Sequence, residues 1–252
     1  MKKLFIILIA LSLILPFSAS ALTMTFYPDP HPESTTVDGY ARQGYGAGSG
    51  VVWATIQPAA GNLAFDSDAL IYFAHIAGDT NSPNWRIIGR SIFLFDTSVI
   101  GTDSISAATL SLYGNAEADP ASWGIDINIY SSAPATDTAV VAGDYDSLGI
   151  TAYCDTSLTL ATFSTIAYND FAFNAAGIAA ISKTGISKFG AREAIHDAGN
   201  SEPAHSNSES YFYGYMADQA NTTYDPKLVV TYTAASTYDH TYFQSASSTS
   251  GF

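Results

Sequence analysis

The chain has 252 residues and a formal net charge of −14 at pH 7, from 9 basic and 23 acidic residues. Because binding of phosphate groups requires Lys and Arg, such a surface makes nucleic acid and anionic lipid poor partners. Of the acidic residues 18 are aspartates, which favour turns over helix interiors and therefore indicate a loop-rich β protein. The single cysteine, Cys154, cannot form an intrachain disulfide, so the fold must depend on its hydrophobic core.

The N-terminus has the pattern of a signal peptide. Two lysines precede an apolar run over residues 4–15, and the small residues at positions 19–21 favour cleavage before Leu22. The run is too short to span a bilayer comfortably, which favours a signal peptide over a membrane anchor. We therefore predict that residues 1–21 are removed and that the protein is secreted without inserting in a membrane. Its net charge would then be −16, from 7 basic and 23 acidic residues.

Strand patterns dominate the chain after residue 36. The segments that we predict to be strands are 87–95, 105–113, 125–129, 158–163, 168–173, 186–192, 211–216 and 228–233. Segment 87–95 is apolar on both faces, as in a central strand, whereas Ile125, Ile127 and Ile129 alternate with polar residues, as in a half-buried strand. Clusters of Gly, Asn, Asp and Pro separate the segments at intervals typical of a sandwich.

One helix interrupts this pattern. Asn174 is a suitable N-cap for the Ala- and Ile-rich segment 175–182, and Gly185 can end it. No internal linker divides residues 22–233, which we predict to be one domain, and the Ser- and Thr-rich residues 234–252 indicate a flexible tail. The predicted fold is an all-β, jelly-roll-like antiparallel β-sandwich with one short crossover helix.

Three stretches also follow one another in a recognisable order. Residues 90–98 form an arginine-led strand that ends in Phe-Asp, residues 105–113 have an Ile-x-x-Ala-x-Leu-x-Leu pattern, and residues 225–232 close with Pro-x-Leu. Together they resemble the DNRLRE-domain family, which is related to disaggregatase regions and carbohydrate-binding modules. The resemblance covers roughly residues 36 to 233, although the string that names the family is absent. It implies a secreted jelly-roll-like sandwich that associates with polysaccharide or a cell surface, and it does not imply catalysis.

Motifs of hydrolases and of zinc sites are weak in this chain. The Gly-rich segment 39–50 has no Lys and precedes no helix, so it fails as a phosphate loop, and residues 48–50 lack the context of a nucleophile elbow. Glu193 and His196 are three residues apart, but they continue a strand-like segment, where this spacing points side chains to opposite faces. We expect the histidines to be loop residues at a solvated surface.

Calcium is a candidate cofactor. Asp144 and Asp146 precede Gly149, and Asp155 follows eleven residues after Asp144, which is similar to a calcium loop with its carboxylates and tight glycine turn. However, Leu148 occupies a ligand position and the flanking segments are not helical. A simple solvated turn is therefore the alternative interpretation.

Aromatic residues are candidates for a glycan-binding surface. In a strand over 211–216, alternation places three tyrosines on one face. Flat rings stack on the apolar faces of sugars, so these tyrosines and the three tryptophans, which lie in or beside predicted loops, are the predicted ligand-binding residues. The residues are Trp53, Trp85, Trp123, Tyr211, Tyr213 and Tyr215. The alternative is a tyrosine-rich sheet that packs beneath a loop.

The sequence therefore predicts a secreted, non-catalytic β-sandwich module that binds polysaccharide or a cell-surface glycan. The second hypothesis is an assembly subunit of an extracellular filament, sheath or phage-type appendage, which would self-associate through its edge strands and its tail. An enzyme of polysaccharide breakdown is the third hypothesis, because paired carboxylates are abundant but no pair can be singled out.

Overall fold

A computed structural model describes residues 20–235 of the chain. Nearly all of the predicted signal peptide (residues 1–19) and most of the predicted tail (residues 236–252) lie outside the described residues. Within residues 20–235, no helix has the length and apolar character needed to cross a membrane.

Strands contain 41% of the residues and helices 11%, which confirms the predicted all-β, sandwich-like class. The strands are β1 (Ala21–Phe26), β2 (Asp38–Gly44), β3 (Leu63–Phe65), β4 (Leu70–Gly78), β5 (Trp85–Asp96), β6 (Ser104–Ala118), β7 (Asp126–Ser131), β8 (Leu158–Thr159), β9 (Tyr168–Ala172), β10 (Ile186–Glu193), β11 (Glu209–Tyr215) and β12 (Lys227–Thr233). Two short helices, α1 (Trp53–Ile56) and α2 (Ala175–Ala179), lie between them.

All these strands pair antiparallel in one sheet that curls into a half-barrel. The main path runs β1-β12-β6-β11-β4-β5-β10-β7-β8, while β2 pairs with β5 and β3, and β9 pairs with β6. The long strand β6 joins the two halves of the sheet, since residues 109–113 pair with β9 and residues 114–118 pair with β11. The curl brings the two halves face to face around a common core.

That core combines aromatic and aliphatic side chains. Phe73 of β4, Phe93 of β5, Leu110 of β6 and Phe212 of β11 are all fully buried in it. At about 25 cal/mol per Å² of apolar surface removed from water, rings of this size contribute several kcal/mol each. The core therefore provides the stability that disulfides supply in small disulfide-rich domains.

A second apolar cluster covers the outer face of β5. Ile88 of this strand packs with Trp53 and Ile56 of α1 and with Tyr145 of the 3₁₀-helical segment Ala142–Ser147. The sheet is therefore covered on both sides at β5, which confirms the prediction of a central strand that is apolar on both faces.

Strand β7 corrects the prediction of a half-buried strand. The isoleucines are buried as predicted, but Asn128 and Tyr130 on the opposite face are buried as well. The Asn128 amide donates to the Cys154 carbonyl at 3.1 Å and to Ser157 Oγ at 3.0 Å. A polar residue can therefore occupy this buried face, because the segment 154–157 provides hydrogen-bond partners for its amide group.

The four strands before residue 80, β1 to β4, were not predicted from the sequence pattern. Strand β2 lies in the segment interpreted as Gly-rich, and its glycines allow close packing: a Cβ at Gly39 would lie 2.6 Å from the Phe65 carbonyl oxygen. The segment 158–163 was predicted as a strand, but only its first two residues pair with β7. Whether a short edge segment such as β8 forms a strand depends more on its pairing partner than on the propensity of its own residues.

Helix α2 begins where the sequence predicts. The Asn174 side chain accepts from the backbone N–H groups of Ala176 and Gly177, each at 3.0 Å. The helix ends at Ala179 and is shorter than the predicted segment 175–182, because the chain turns there towards β10.

Candidate functional site

A pocket of about 180 Å³, which we call the tyrosine pocket, opens where β2, β3, β4 and β11 meet. Its lining residues are Tyr40, Arg42, Phe65, Asp68, Leu70, Ile71, Tyr72 and Tyr213. The pocket is smaller than the range of about 300–1,000 Å³ that is typical of drug-sized ligands. It therefore suits a single ring or the end of a larger molecule.

Strand register places a second row of residues next to the tyrosine pocket. Tyr211 lies opposite His75, and His75 lies opposite Gly89, so one row of residues crosses β11, β4 and β5. Tyr40 of the adjoining β2 extends over Gly89 and places its hydroxyl 3.3 Å from His75 Nδ1. A Cβ at Gly89 would collide with the Tyr40 hydroxyl, so the glycine is required for this contact.

Tyr72 is the centre of the aromatic surface. Its ring stacks on His75 with centroids 4.1 Å apart and an angle of 19° between the planes. It also meets Tyr213 at 5.0 Å, Tyr211 at 5.2 Å and Tyr40 at 5.9 Å. These distances are typical of favourable edge-to-face and tilted aromatic pairs, so the rings form a preorganised wall.

Two charged side chains of opposite sign line the same pocket. The Arg42 guanidinium lies 5.6 Å from the centroid of the Phe65 ring, and its buried Nε has no hydrogen-bond partner within the described residues. Asp68 is exposed in the turn between β3 and β4. Within residues 20–235 no carboxylate lies within 4.0 Å of the Arg42 guanidinium, so it has no counter-charge among the described side chains.

The His75 ring and the tyrosines of the pocket are neutral at neutral pH. Burial lowers the pKa of His75, although the Glu209 carboxylate at 3.4 Å from Nε2 opposes this shift. Burial likewise raises the pKa of Tyr40, Tyr72 and Tyr213. The tyrosines therefore present uncharged rings and hydroxyls.

The alternation predicted for β11 is present, but its three tyrosines do not share one site. Tyr213 lines the pocket and Tyr211 lies beside it, whereas Tyr215 contacts Tyr113 at 5.7 Å and Tyr224 at 4.8 Å. An irregularity in the register between β11 and β6 lies between Tyr213 and Gly214, just before Tyr215.

The tryptophans require a correction. Trp53 and Trp85 are buried and Trp123 is half-buried, with successive ring centroids 5.0 Å and 5.2 Å apart. Their indole N–H groups donate to Asn200 Oδ1, Glu202 Oε1 and the Ala204 carbonyl respectively. The three rings thus hold the segment before β11 against the sheet, and the faces of Trp53 and Trp85 are closed to a sugar.

The three aspartates predicted to bind calcium are not brought together. The Asp144 carboxylate is buried and accepts from the Ala135 and Val141 N–H groups, each at 2.8 Å, so both oxygens serve the backbone. Asp146 is exposed, and Asp155 lines a separate cavity of about 310 Å³ with Asp170. No group of three or more His, Cys, Asp or Glu side chains in residues 20–235 is placed to hold a metal.

Glu193 and His196 also differ from expectation. They do not continue a strand, because a π-helical turn, Ala194–Ala198, begins after Glu193, whose carboxylate accepts from the N–H groups of residues 195–197. The His196 ring is buried between the carbonyls of Ser201 and Trp123, at 2.6 Å and 3.1 Å. His75 is buried as well, so these two histidines are not surface residues.

Three charged residues that the sequence analysis missed form a buried cluster. Arg90 and Arg192 both bind Asp197, the fourth residue of the π-helical turn. Burial alone would raise the pKa of Asp197, but the two arginines outweigh it and lower the pKa to about 2. The sequence did contain a signal for this cluster: Arg90 lies in the centre of an apolar strand, and a buried charge almost always has a partner of opposite charge.

No protein-family model matches this chain, and no curated protein matches its sequence. The resemblance to the DNRLRE-domain family therefore stays a prediction from the residues that carry it.

Proposed function

We propose that this chain is a secreted, non-catalytic module that binds polysaccharide or a cell-surface glycan through the tyrosine pocket. The observation that carries the proposal is the open wall of Tyr72 and Tyr213 beside the buried Tyr40, with Arg42 and Asp68 at its edge. Such a combination of aromatic surface and a few convergent polar groups is typical of ligand sites.

Each part of the pocket has a defined task in sugar binding. The half-buried rings of Tyr72 and Tyr213 offer faces and edges on which the C–H surface of a pyranose can pack. The Arg42 guanidinium donates to hydroxyl or ring oxygens, and the Asp68 carboxylate accepts from hydroxyls. One ring of this kind matches the volume of the pocket, and the rest of a chain would extend into solvent.

The charge of the chain predicts how this binding should respond to salt. The secreted form would have a net charge of −16 and only 7 basic residues, so long-range attraction contributes little to binding of a polyanion. Contacts between rings and sugars are short-ranged and little affected by screening. We therefore expect weak affinity that is nearly independent of ionic strength.

The resemblance to the DNRLRE-domain family supports the same proposal from a different direction, because members of that family associate with polysaccharides and cell surfaces. The predicted signal peptide would place the module where such glycans occur.

A glycan array followed by calorimetry with the best ligand tests the proposal. Tyr213→Ala should weaken binding about tenfold, or about 1.4 kcal/mol, because it removes one wall of the pocket. Tyr215→Ala is the matched control, since it removes a tyrosine from the same face of β11 but outside the pocket.

The control variant should bind like the wild type, and both variants should keep cooperative melting curves. If no glycan binds, or if Tyr215→Ala weakens binding as much as Tyr213→Ala does, the tyrosine pocket is not the site.

A further inference from the structure

The edge strand β1 differs from the rest of the molecule in its exposure and charge. Its residues are Ala-Leu-Thr-Met-Thr-Phe, without a charged side chain, and all except Phe26 are exposed. One edge of the strand pairs with β12 along its whole length. The other edge pairs with no strand among residues 20–235.

The apolar side of β1 continues the core of the sheet into solvent. Phe26 lies opposite Leu228 and is buried in the core, and alternation places Met24 and Leu22 on the same side. Met24 is 36% exposed and Leu22 is 47% exposed. The row of core residues therefore ends at β1 without a strand to cover it.

The other free edges of the described sheet are protected in the usual ways. Strands β3 and β8 have only three and two residues. Strand β9 carries an exposed aspartate, Asp170, at its centre. Short length and charge are common means of preventing edge-to-edge pairing, and β1 has neither.

From these observations we infer that two copies of this chain pair through β1 to form a twofold dimer. The net charge, −14 for the full chain and −16 after removal of residues 1–21, opposes contact between copies over most of the surface, whereas β1 has no charged side chain and offers a strip at which two acidic molecules can meet. A twofold contact is self-complementary, so the same strand supplies both sides of the interface.

The apolar row Leu22, Met24 and Phe26 determines the register in which the two copies of β1 pair. With Met24 on the twofold axis, Met24 of each subunit lies opposite Met24 of the other, and Leu22 lies opposite the partner subunit's Phe26. Residues 22–26 then pair completely, and the apolar sides of the two strands face the same way. The strands β12 and β1 of one copy and β1 and β12 of the other then form a single continuous sheet. Pro28 lies just after the end of β1.

Sedimentation velocity of the purified protein over a range of concentrations tests this inference. The wild type should form a dimer, and Met24→Lys should be monomeric because it places two like charges opposite each other on the axis. Ala172→Lys is the matched control, since it adds the same charge at an exposed position of the β9 edge and should leave the dimer intact. Unchanged melting curves would show that both variants are folded.

A cysteine variant tests the register independently of stability. Met24→Cys should form a disulfide-linked dimer on mild oxidation and Ala172→Cys should not, while the native Cys154 is buried and does not compete. A chain truncated after Ala235 distinguishes the other possible occupant of this edge, the chain's own C-terminal segment. A monomeric wild type, a dimer that Met24→Lys leaves unchanged, or a dimer that forms only after truncation would each overturn the inference.

Discussion

Arg90 and Arg192 bind the same buried carboxylate, that of Asp197. Arg90 Nη2 lies 2.6 Å and Arg192 Nη2 lies 2.9 Å from Oδ1, while the Nε atom of each arginine lies 2.9 Å from Oδ2. Ala191 lies opposite Ser91 in the ladder between β10 and β5, so the next position places the two arginines side by side. Asp197 therefore separates two like charges that the sheet brings together.

Backbone carbonyls complete the coordination of both arginines. Arg90 donates to the carbonyls of Tyr145 and Gln57, and Arg192 donates to the carbonyls of Leu148 and Gly149. The cluster thus links β5 and β10 to three segments that cover the outer face of the sheet, and it fixes their positions by directed hydrogen bonds.

Asp197→Asn should be strongly destabilising, because it leaves two buried guanidinium groups without a counter-charge. Breaking a buried ion pair in this way costs about 3–5 kcal/mol, a large share of the stability of a typical domain. Urea unfolding of the variant measures the loss. Asp137→Asn is the control: its pair with Lys188 is at the surface and should contribute less than about 1 kcal/mol. Equal effects in the two variants would contradict the role of Asp197.

The same cluster predicts how stability changes in acid. The pKa of Asp197 is about 2 in the folded protein against an ordinary value of 3.8, so its contribution is fully present above about pH 4 and is lost as the pH falls towards 2. The lost contribution should be about 2 kcal/mol. Unfolding midpoints measured across this range should decline in the wild type, and Asp197→Asn should lack this part of the decline.

The Asp38 carboxyl should change stability with pH in the direction opposite to that of Asp197. It is buried at the start of β2, and one oxygen accepts from the Ala217 N–H at 2.8 Å while the other has no partner within the described residues. Burial raises its pKa well above the usual value, and the nearby charges of Asp218 and Asp225 add to this shift. Its stabilising effect is therefore present below about pH 3.8 and is lost as the pH rises through the higher pKa of the folded state.

Asp38→Asn resembles the protonated carboxyl and keeps an acceptor for Ala217. We expect it to raise stability at neutral pH by about 1 kcal/mol or more and to change little in acid, because it removes a buried, poorly paired charge. Melting temperatures at neutral and acidic pH test this expectation. A variant that is less stable than the wild type at neutral pH would show that the Asp38 charge is favourable.

Gly89→Ala should deform the tyrosine pocket without touching a ligand. The added methyl would collide with the Tyr40 hydroxyl, and overpacking of this kind costs about 1–3 kcal/mol. A double-mutant cycle with Tyr40→Leu should reveal strong coupling, because the smaller side chain leaves room for the methyl group. Additive effects on the melting temperature would argue against the contact.

Asp144→Ala should destabilise the protein equally in calcium and in chelator. The substitution leaves the N–H groups of Ala135 and Val141 without an acceptor, at a cost of about 1–3 kcal/mol that does not involve a metal. A melting temperature that calcium raises in the wild type but not in the variant would instead support a calcium site at this turn.

Local features of the chain are determined by the sequence itself. Alternation in 211–216 predicts that the tyrosines of β11 share one side, because successive side chains of any strand point to opposite faces. Asn174 predicts the start of α2, because a side-chain oxygen at an N-cap satisfies backbone groups only two or three residues away. The all-β class follows from many such short segments with turn residues between them.

Only the tertiary structure decides which faces are covered and which distant residues meet. Trp85 and Tyr213 are both aromatic residues of strands, yet Trp85 is fully buried while Tyr213 lines an open pocket. Arg90 reaches Asp197 across 107 positions of sequence, and the pocket combines residues of β2, β3 and β4 with Tyr213 of β11, a strand far along the chain. Periodicity specifies the two faces of a strand, but long-range pairing determines what lies against each face, and therefore which residues remain free to bind.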